Sequence, residues 1–464
     1  MEKAVQQLGA HTIAVSASDT RPHSSHRRRM LAFLLVAPLT VLLGVRLNGF
    51  VHDPLFSAYG AAVIGTSVIV IYLAFNHYQD PSLDPEIDYV TPFVSCLVAV
   101  KNEEHVIERC IDALFASDYP SYEVIVVNDG STDSTPVLLG ELQERHRGLR
   151  VITLPESVGK KRALTVGVQS AAGAIFVFSD SDCVVAPDAV SQLIRAFAAH
   201  PDLGAASGHA RALNAEQNLL TKAQDTWYEG QFSVWKGAES VFGAVTCISG
   251  PLAGFRREAV FNYLPAWAND RFLGKEFPFA TDRQLTAYVL GAPYVGEKLK
   301  ADHAESPFVR EVDYPARPWK TGYVKSARVQ TVVPWSMRRL LKQQVRWKKS
   351  FIRNLVFVGG FQWRRGPIPA LLFYGRALFI IAAPLMAFRH LVWLPSHGAY
   401  LLTGLYLAGI LFKGCIWGLA YRAEDPGSRR WVYRPLMSLM TVIVFSMLLP
   451  YSLLTVRRGV WSRG

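Results

Sequence analysis

The chain has 464 residues, half of them hydrophobic, with a net charge of +12 and five scattered cysteines. That length exceeds one ordinary domain, and the cysteines show neither the pairs of a disulfide scaffold nor the spacing of a zinc site. The apolar excess sits in a few runs, so the basic balance points to cytoplasmic flanks and anionic lipid rather than nucleic acid, with an anionic substrate as a second source.

Residues 1–29 are polar, aperiodic and end in a basic cluster, and are expected to form a disordered tail. Apolar runs at 30–45 and 59–75 predict two membrane helices over 30–78, with a signal peptide as the rival for the first. The arginines before the first run place the N-terminus in the cytoplasm. A Pro- and Asp-rich linker over 80–91 leads to alternating strands and helices. Strands are predicted at 94–100, 123–127, 149–154 and 174–178. Helices are predicted at 103–114, after Ser134 as N-cap, at 159–170 and at 187–200. Repeated units of this length predict a mainly parallel, doubly covered sheet. Helices are further predicted at 224–235, from 280 onwards, and over 337–354, where basic and aromatic residues mix as on a membrane surface. Apolar runs at 370–388, 400–421 and 436–454 predict late spans, the last one breakable at Pro450. Arg376, Lys413 and Trp417 lie within these runs, marking a polar path or simple packing and snorkelling. Five spans would put the C-terminus outside, whereas its basic tail favours the cytoplasm.

The strand at 174–178 ends in Ser179-Asp180-Ser181-Asp182. Strand alternation points Asp180 and Asp182 the same way, at the carboxyl end where α/β sheets hold ligands. Hard oxygen ligands suit Mg²⁺ or Mn²⁺ on a diphosphate; a solvated turn is the plain alternative. Asp129 ends another strand beside Gly130, as a nucleotide acceptor or merely as part of a turn. Lys160 and Lys161 open a helix against its macrodipole, which suggests an anionic partner such as diphosphate, unless they form a solvated face.

Five segments in order carry a family resemblance: Val100-Lys101-Asn102-Glu103, Asn128-Asp129-Gly130-Ser131, Asp180-Ser181-Asp182, Thr281-Asp282-Arg283-Gln284-Leu285-Thr286 and Gln343-Gln344-Val345-Arg346-Trp347. The chain from 93 onwards resembles the processive family-2 glycosyltransferases, which make hyaluronan, chitin and cellulose; Ser249-Gly250-Pro251 and the stretch after Gln343 are most similar to the hyaluronan synthase branch. The resemblance implies an α/β GT-A-type (Rossmann-like) cytoplasmic domain over 92–335, inserted between transmembrane helices of a multi-pass plasma-membrane protein. Interface helices would follow over 336–366, with a C-terminal transmembrane region over 367–464. It implies an inverting synthase that uses UDP-sugar donors, extends a growing polysaccharide acceptor and carries it across the membrane. Asn102, Glu103, Asp129, Lys160, Lys161, Asp180 and Arg346 would bind the nucleotide-sugar, and Asp180 and Asp182 the Mg²⁺ or Mn²⁺.

Asp282 would be the general base, since inversion needs a carboxylate on the acceptor side; helix capping by Thr281 or Asp282 is its rival. Here the sequence departs from the family, with Ala280-Thr281 before Asp282 in place of a second acid. Ser249, Gly250 and Pro251 would border the acceptor, Ser249 standing where the branch has cysteine. Gln343, Arg346 and Trp347 share a helix face, so Trp347 can stack on a sugar while Arg346 meets diphosphate. The stretch 293–319 reads as a surface elaboration, and Gly459-Val460-Trp461-Ser462 loosely resembles a gating loop. Chitin-type polymers, other β-glucans and a lipid-carrier transferase are rivals within the enzyme class. A transport protein with a degenerate nucleotide site is the rival from another class. Oligomeric state is left open.

Overall fold

The computed structural model describes residues 25–48, 53–83 and 91–458. The expected tail, most of the linker and Gly459-Val460-Trp461-Ser462 lie outside the described residues.

Eight strands form one sheet in the order β3-β2-β1-β4-β7-β6-β8-β5. They are β1 Val94–Val100, β2 Tyr122–Asn128, β3 Leu149–Thr153, β4 Ile175–Asp180, β5 Cys183–Val185, β6 Leu203–Ala212, β7 Ala253–Arg256 and β8 Lys320–Thr331. Every residue of β1 is buried, as expected of a central strand covered on both faces. Four of the pairings, β1–β2, β1–β4, β2–β3 and β6–β8, are parallel. The sheet is nevertheless more mixed than expected. β7 runs antiparallel to β4 and β6 because its chain enters from the loop over the carboxyl ends, and β5 runs antiparallel to β8. In register, Val100 lies opposite Asn128 and Ala99 opposite Asp180, so the motif residues leave the sheet at one level.

Helices α3 Ile107–Phe115, α4 Thr135–Arg145, α5 Lys160–Gln169 and α6 Ala189–Ala199 cover the sheet. Ser134 precedes α4 but makes no side-chain cap bond; Asp133 accepts the Thr135 N–H instead, at 3.0 Å. The helix expected over 224–235 is α7 Leu219–Glu229, followed by a π-helical turn Gly230–Lys236. α8 Thr281–Ala301 continues past Pro293, so the stretch read as a surface elaboration begins as helix. Its remainder is anchored rather than superficial: Phe308 and Trp319 are buried, and Asn262 Nδ2 donates to the carbonyls of Phe308 and Val312 at 2.7 and 2.6 Å.

α1 Ser25–Asn48 and α2 Pro54–Asn76 precede the sheet; α9 Met337–Gly359, α10 Pro367–Phe388 and α11 Tyr400–Glu424 follow it. Three helical stretches among the described residues, Pro54–Leu83, Pro367–Ser396 and Tyr400–Glu424, are long and apolar enough to cross a membrane. The apolar part of α1 is shorter, Arg29–Gly44. The final apolar run is a pair bent by 40°, containing α12 Arg434–Met440 and α13 Leu448–Leu454. Its break falls at Ser446-Met447; Pro450, the expected breaker, lies inside α13.

Candidate active site

A cleft of about 1150 Å³ opens above the carboxyl ends of β1, β2 and β4. Thirteen of the fourteen sequence-predicted site residues line it: Asn102, Glu103, Asp129, Lys160, Asp180, Asp182, Ser249, Gly250, Pro251, Asp282, Gln343, Arg346 and Trp347.

Two tight turns build one end. Asn102 follows β1 with φ 53°, and its Oδ1 accepts the Thr132 N–H at 2.8 Å, joining the β1 and β2 loops. Asp129 is buried; its oxygens accept from Ser157 Oγ at 2.9 Å, Val158 N–H at 2.7 Å and Gly159 N–H at 3.1 Å. Gly130 has φ +62°, and a Cβ there would stand 2.7 Å from the Ser157 nitrogen, so only glycine allows this approach. Asp129 thus fixes the loop that aims Lys160 into the cleft, where its ammonium pairs with Asp180.

Lys161 is the exception. It points the other way into a buried cluster, its Nζ donating to Asp270 Oδ2 and the Phe277 carbonyl, both at 2.9 Å. Arg353 of α9 holds the other Asp270 oxygen at 2.7 Å. Adjacent residues of one helix point about 100° apart, so Lys160 and Lys161 cannot share the cleft.

Ligand atoms of Asp180, Asp182 and Cys183 lie within 4.8 Å of one another. Burial, with both carboxylates adding, pushes the Cys183 thiol well up, so it stays protonated and donates to Asp182 Oδ1 at 3.6 Å. What remains is a pair of half-buried carboxylates, a hard oxygen set that fits Mg²⁺ or Mn²⁺ rather than zinc. Gly250 keeps this place open: a Cβ there would lie 3.1 Å from both Asp180 oxygens.

Across the cleft, Asp282 lies in the first turn of α8, its Oδ1 accepting the Arg283 N–H at 2.8 Å. Ala280, with φ 60°, turns the chain into that helix. The 246–252 loop is clamped against it: Thr286 Oγ accepts the Ile248 N–H at 2.9 Å, and Cys247 Sγ donates to Asp282 Oδ2 at 3.3 Å. Ser179 Oγ donates to the Pro251 carbonyl at 3.0 Å, tying the same loop to β4. Trp347 packs beside Trp227 with ring centroids 5.5 Å apart, making a two-ring wall.

Sequence reasoning missed several lining residues, among them Arg109, Trp227, Lys236 and Lys348. Arg109 lies on the helix predicted over 103–114, to which no site residue was assigned. Lys236 reaches the cleft through the π-turn, whose shift from helical spacing has no readable sequence signal. The cleft continues to Arg376 and Ile380 of α10, so Arg376 does face it, while Trp417 stacks on Trp235 with centroids 6.4 Å apart.

Residues 95–263 match the family model described as Glycosyl transferase family 2. Hyaluronan synthase of Streptococcus pyogenes is 26% identical over 444 residues, covering 93% of this chain and 96% of that protein. An N-acetylglucosaminyltransferase of Mesorhizobium japonicum is 30% identical over 302 residues, 64% of each chain. Among solved structures, a Pyrobaculum calidifontis mannosyltransferase in complex with GDP-Man and Mn²⁺ superposes with a TM-score of 0.50 at 20% identity, over 92% of this chain and 98% of its own. Residues 95–263 thus carry a family 2 glycosyltransferase domain on a GT-A-like fold, and the chain as a whole is similar to hyaluronan synthase.

Proposed function

We propose that this protein is a membrane-embedded, processive, inverting synthase that polymerises sugars from UDP-sugar donors into a β-linked, hyaluronan-like polysaccharide and passes it across the membrane. The observation that carries this reading is the convergence of Asp129, Asp180, Asp182, Asp282 and Trp347 on one cleft that runs on to α10. We assign residues 92–335 to the catalytic domain, 336–366 to interface helices, and 30–78 and 367–464 to membrane regions.

In this reading the end formed by Asn102, Glu103 and the Asp129-held loop takes the nucleoside. Lys160 and Arg346 face the diphosphate as charge-assisted donors. Asp180 and Asp182 hold a divalent cation, Mg²⁺ or Mn²⁺, which when bound neutralises charge on the diphosphate. Ser249, Gly250, Pro251 and Gln343 border the acceptor, whose terminal sugar stacks on Trp347. Asp282 accepts the proton of the acceptor hydroxyl. The oxygen's electron pair forms the new bond to the anomeric carbon, while the bond to the diphosphate breaks with its pair leaving on UDP. Attack from the side opposite the leaving group inverts the centre.

The test is purified protein in lipid with Mn²⁺ and UDP-sugars, singly and in pairs, reading UDP release and high-mass polymer. Polymer only with two donors supports the hyaluronan-like product. Polymer from a single N-acetylglucosamine donor favours the second reading, a chitin-type chain, which the similarity to an N-acetylglucosaminyltransferase supports. Asp282→Asn is expected to abolish transfer while UDP still binds; near-normal turnover removes the base assignment.

A further inference from the structure

Lys236 is a buried cation that the assigned roles leave unused. It is 6% exposed, ends the π-turn and lines the cleft. Its ammonium makes no ion pair among the described residues. It donates to Ser207 Oγ at 2.7 Å and Ser249 Oγ at 2.6 Å, above the Phe232 ring at 4.2 Å. An ammonium can only donate, so Ser249 Oγ accepts from it and must direct its own hydrogen elsewhere. The Cys247 sulfur lies 3.9 Å from that oxygen, and Cys247 donates in turn to Asp282 Oδ2 at 3.3 Å. With the Cys247 hydrogen on Asp282, the Ser249 hydrogen is the one left to make the Ser249–Cys247 contact, which gives a chain directed from the ammonium to the carboxylate. Such a chain polarises along its length and strengthens each bond in it.

We propose that Lys236 is a positioning residue for transfer, acting through Ser249 and Cys247 to hold Asp282 Oδ2 in place, so that Oδ1, which also accepts the Arg283 N–H at 2.8 Å, is turned to the acceptor hydroxyl. Lys236 takes no proton from the substrate; that proton goes to Asp282, so the inference rests on the base assignment above. A neutral Lys236 could accept from Ser249, and the chain would lose its direction. Burial pulls the ammonium down to about 8, against the opposing pull of Cys247, Asp282 and Glu239, with Arg283 adding to the fall. Those are the titratable and charged groups facing it from the 246–252 loop, α8 and the turn after the π-helix; Arg376 of α10 lies beyond Glu239 at 3.8 Å.

The test compares Lys236→Met, Lys236→Arg and Asp282→Asn in full-length protein, measuring kcat, donor KM and pH profile. The methionine variant is expected to lose about ten- to a hundredfold in kcat with donor KM nearly unchanged, the range of one charge-assisted hydrogen bond. The wild-type profile should fall as pH rises through about 8; this limb should vanish in the methionine variant and move higher in the arginine variant, which should recover most of the rate. A methionine variant with wild-type kcat and profile overturns the proposal. So does an arginine variant as inactive as the methionine one with donor binding lost, which would make Lys236 purely structural. An inactive Asp282→Asn beside a normal Lys236→Met removes this inference alone, whereas an active Asp282→Asn removes the base assignment first.

Discussion

Asp129 faces the end of the cleft proposed for the nucleotide, with a carboxylate already engaged by the Ser157 hydroxyl and two backbone N–H groups. Its first duty is to shape the 157–159 loop. Asp129→Asn would turn an amide N–H₂ against donors on one side, costing about 1–3 kcal/mol of local stability. The loop aims Lys160, so donor affinity should weaken roughly tenfold with kcat less affected, as calorimetric UDP titration and steady-state rates would reveal. Gly250→Ala probes the opposite wall. The added methyl would stand 3.1 Å from both Asp180 oxygens, closer than most Cβ contacts, and those oxygens must yield. The Mn²⁺ concentration for half-maximal activity should rise several-fold while far-UV circular dichroism stays unchanged. An unaltered Mn²⁺ requirement would detach Asp180 from the cation.

The π-helical turn after α7 governs more than Lys236. Glu229, just before it, is fully buried with His209 Nε2 at 3.2 Å and Arg211 Nη1 at 3.0 Å. Burial alone would raise its carboxyl, but His209 and Arg211 prevail and hold it well below the usual carboxylate range. A depressed folded value contributes stability above the unfolded value of about 4.3, lost as pH falls toward the folded one. The melting temperature should therefore drop below about pH 4, and Glu229→Gln should flatten that slope while costing about 3 kcal/mol at neutral pH. This element also marks what the sequence conceals. β1, β2 and β4 were legible because short apolar runs end in Lys-Asn-Glu, Asn-Asp-Gly and Asp-Ser-Asp, and the cleft residues at their tips followed. Periodicity read 224–235 as one helix, since a single wide turn leaves composition untouched. Lys161 was misassigned because a charge pair at a helix start does not show which member faces the ligand; the distant Asp270 decides it. The direction of β7 was hidden as well, because it depends on a loop anchored by Thr286 far along the chain.

At the scale of the whole chain, hydrogen bonds and ion pairs define two ends for the long helices. The sheet domain holds one: Tyr78 Oη donates to the Tyr323 carbonyl at 3.0 Å, Ser326 N–H to Asp80 Oδ2 at 2.7 Å, and Arg211 meets Asp425 at 3.2 Å. At the far end Arg389 pairs with Asp53. α10 therefore leaves the domain and α11 returns to it. The bent pair both starts and finishes near the domain, since Arg430 Nη1 donates to Asp225 Oδ2 at 2.6 Å and Lys349 Nζ to the Arg458 carbonyl at 2.5 Å. A re-entrant pair removes the clash between span count and basic tail, because Arg457 and Arg458 then lie on the side of the domain. Membrane-impermeant maleimide on sealed vesicles tests this. In a Cys415→Ala background, a cysteine replacing Ser396, exposed beside the far end, should label from outside. One replacing Val137, 66% exposed on α4, should label only in inverted vesicles. Cys247 should stay silent, since burial and Asp282 push its thiol up to about 11. Labelling of both introduced cysteines from one side would contradict a membrane crossing between them and, with it, export of the polymer through α10 and α11.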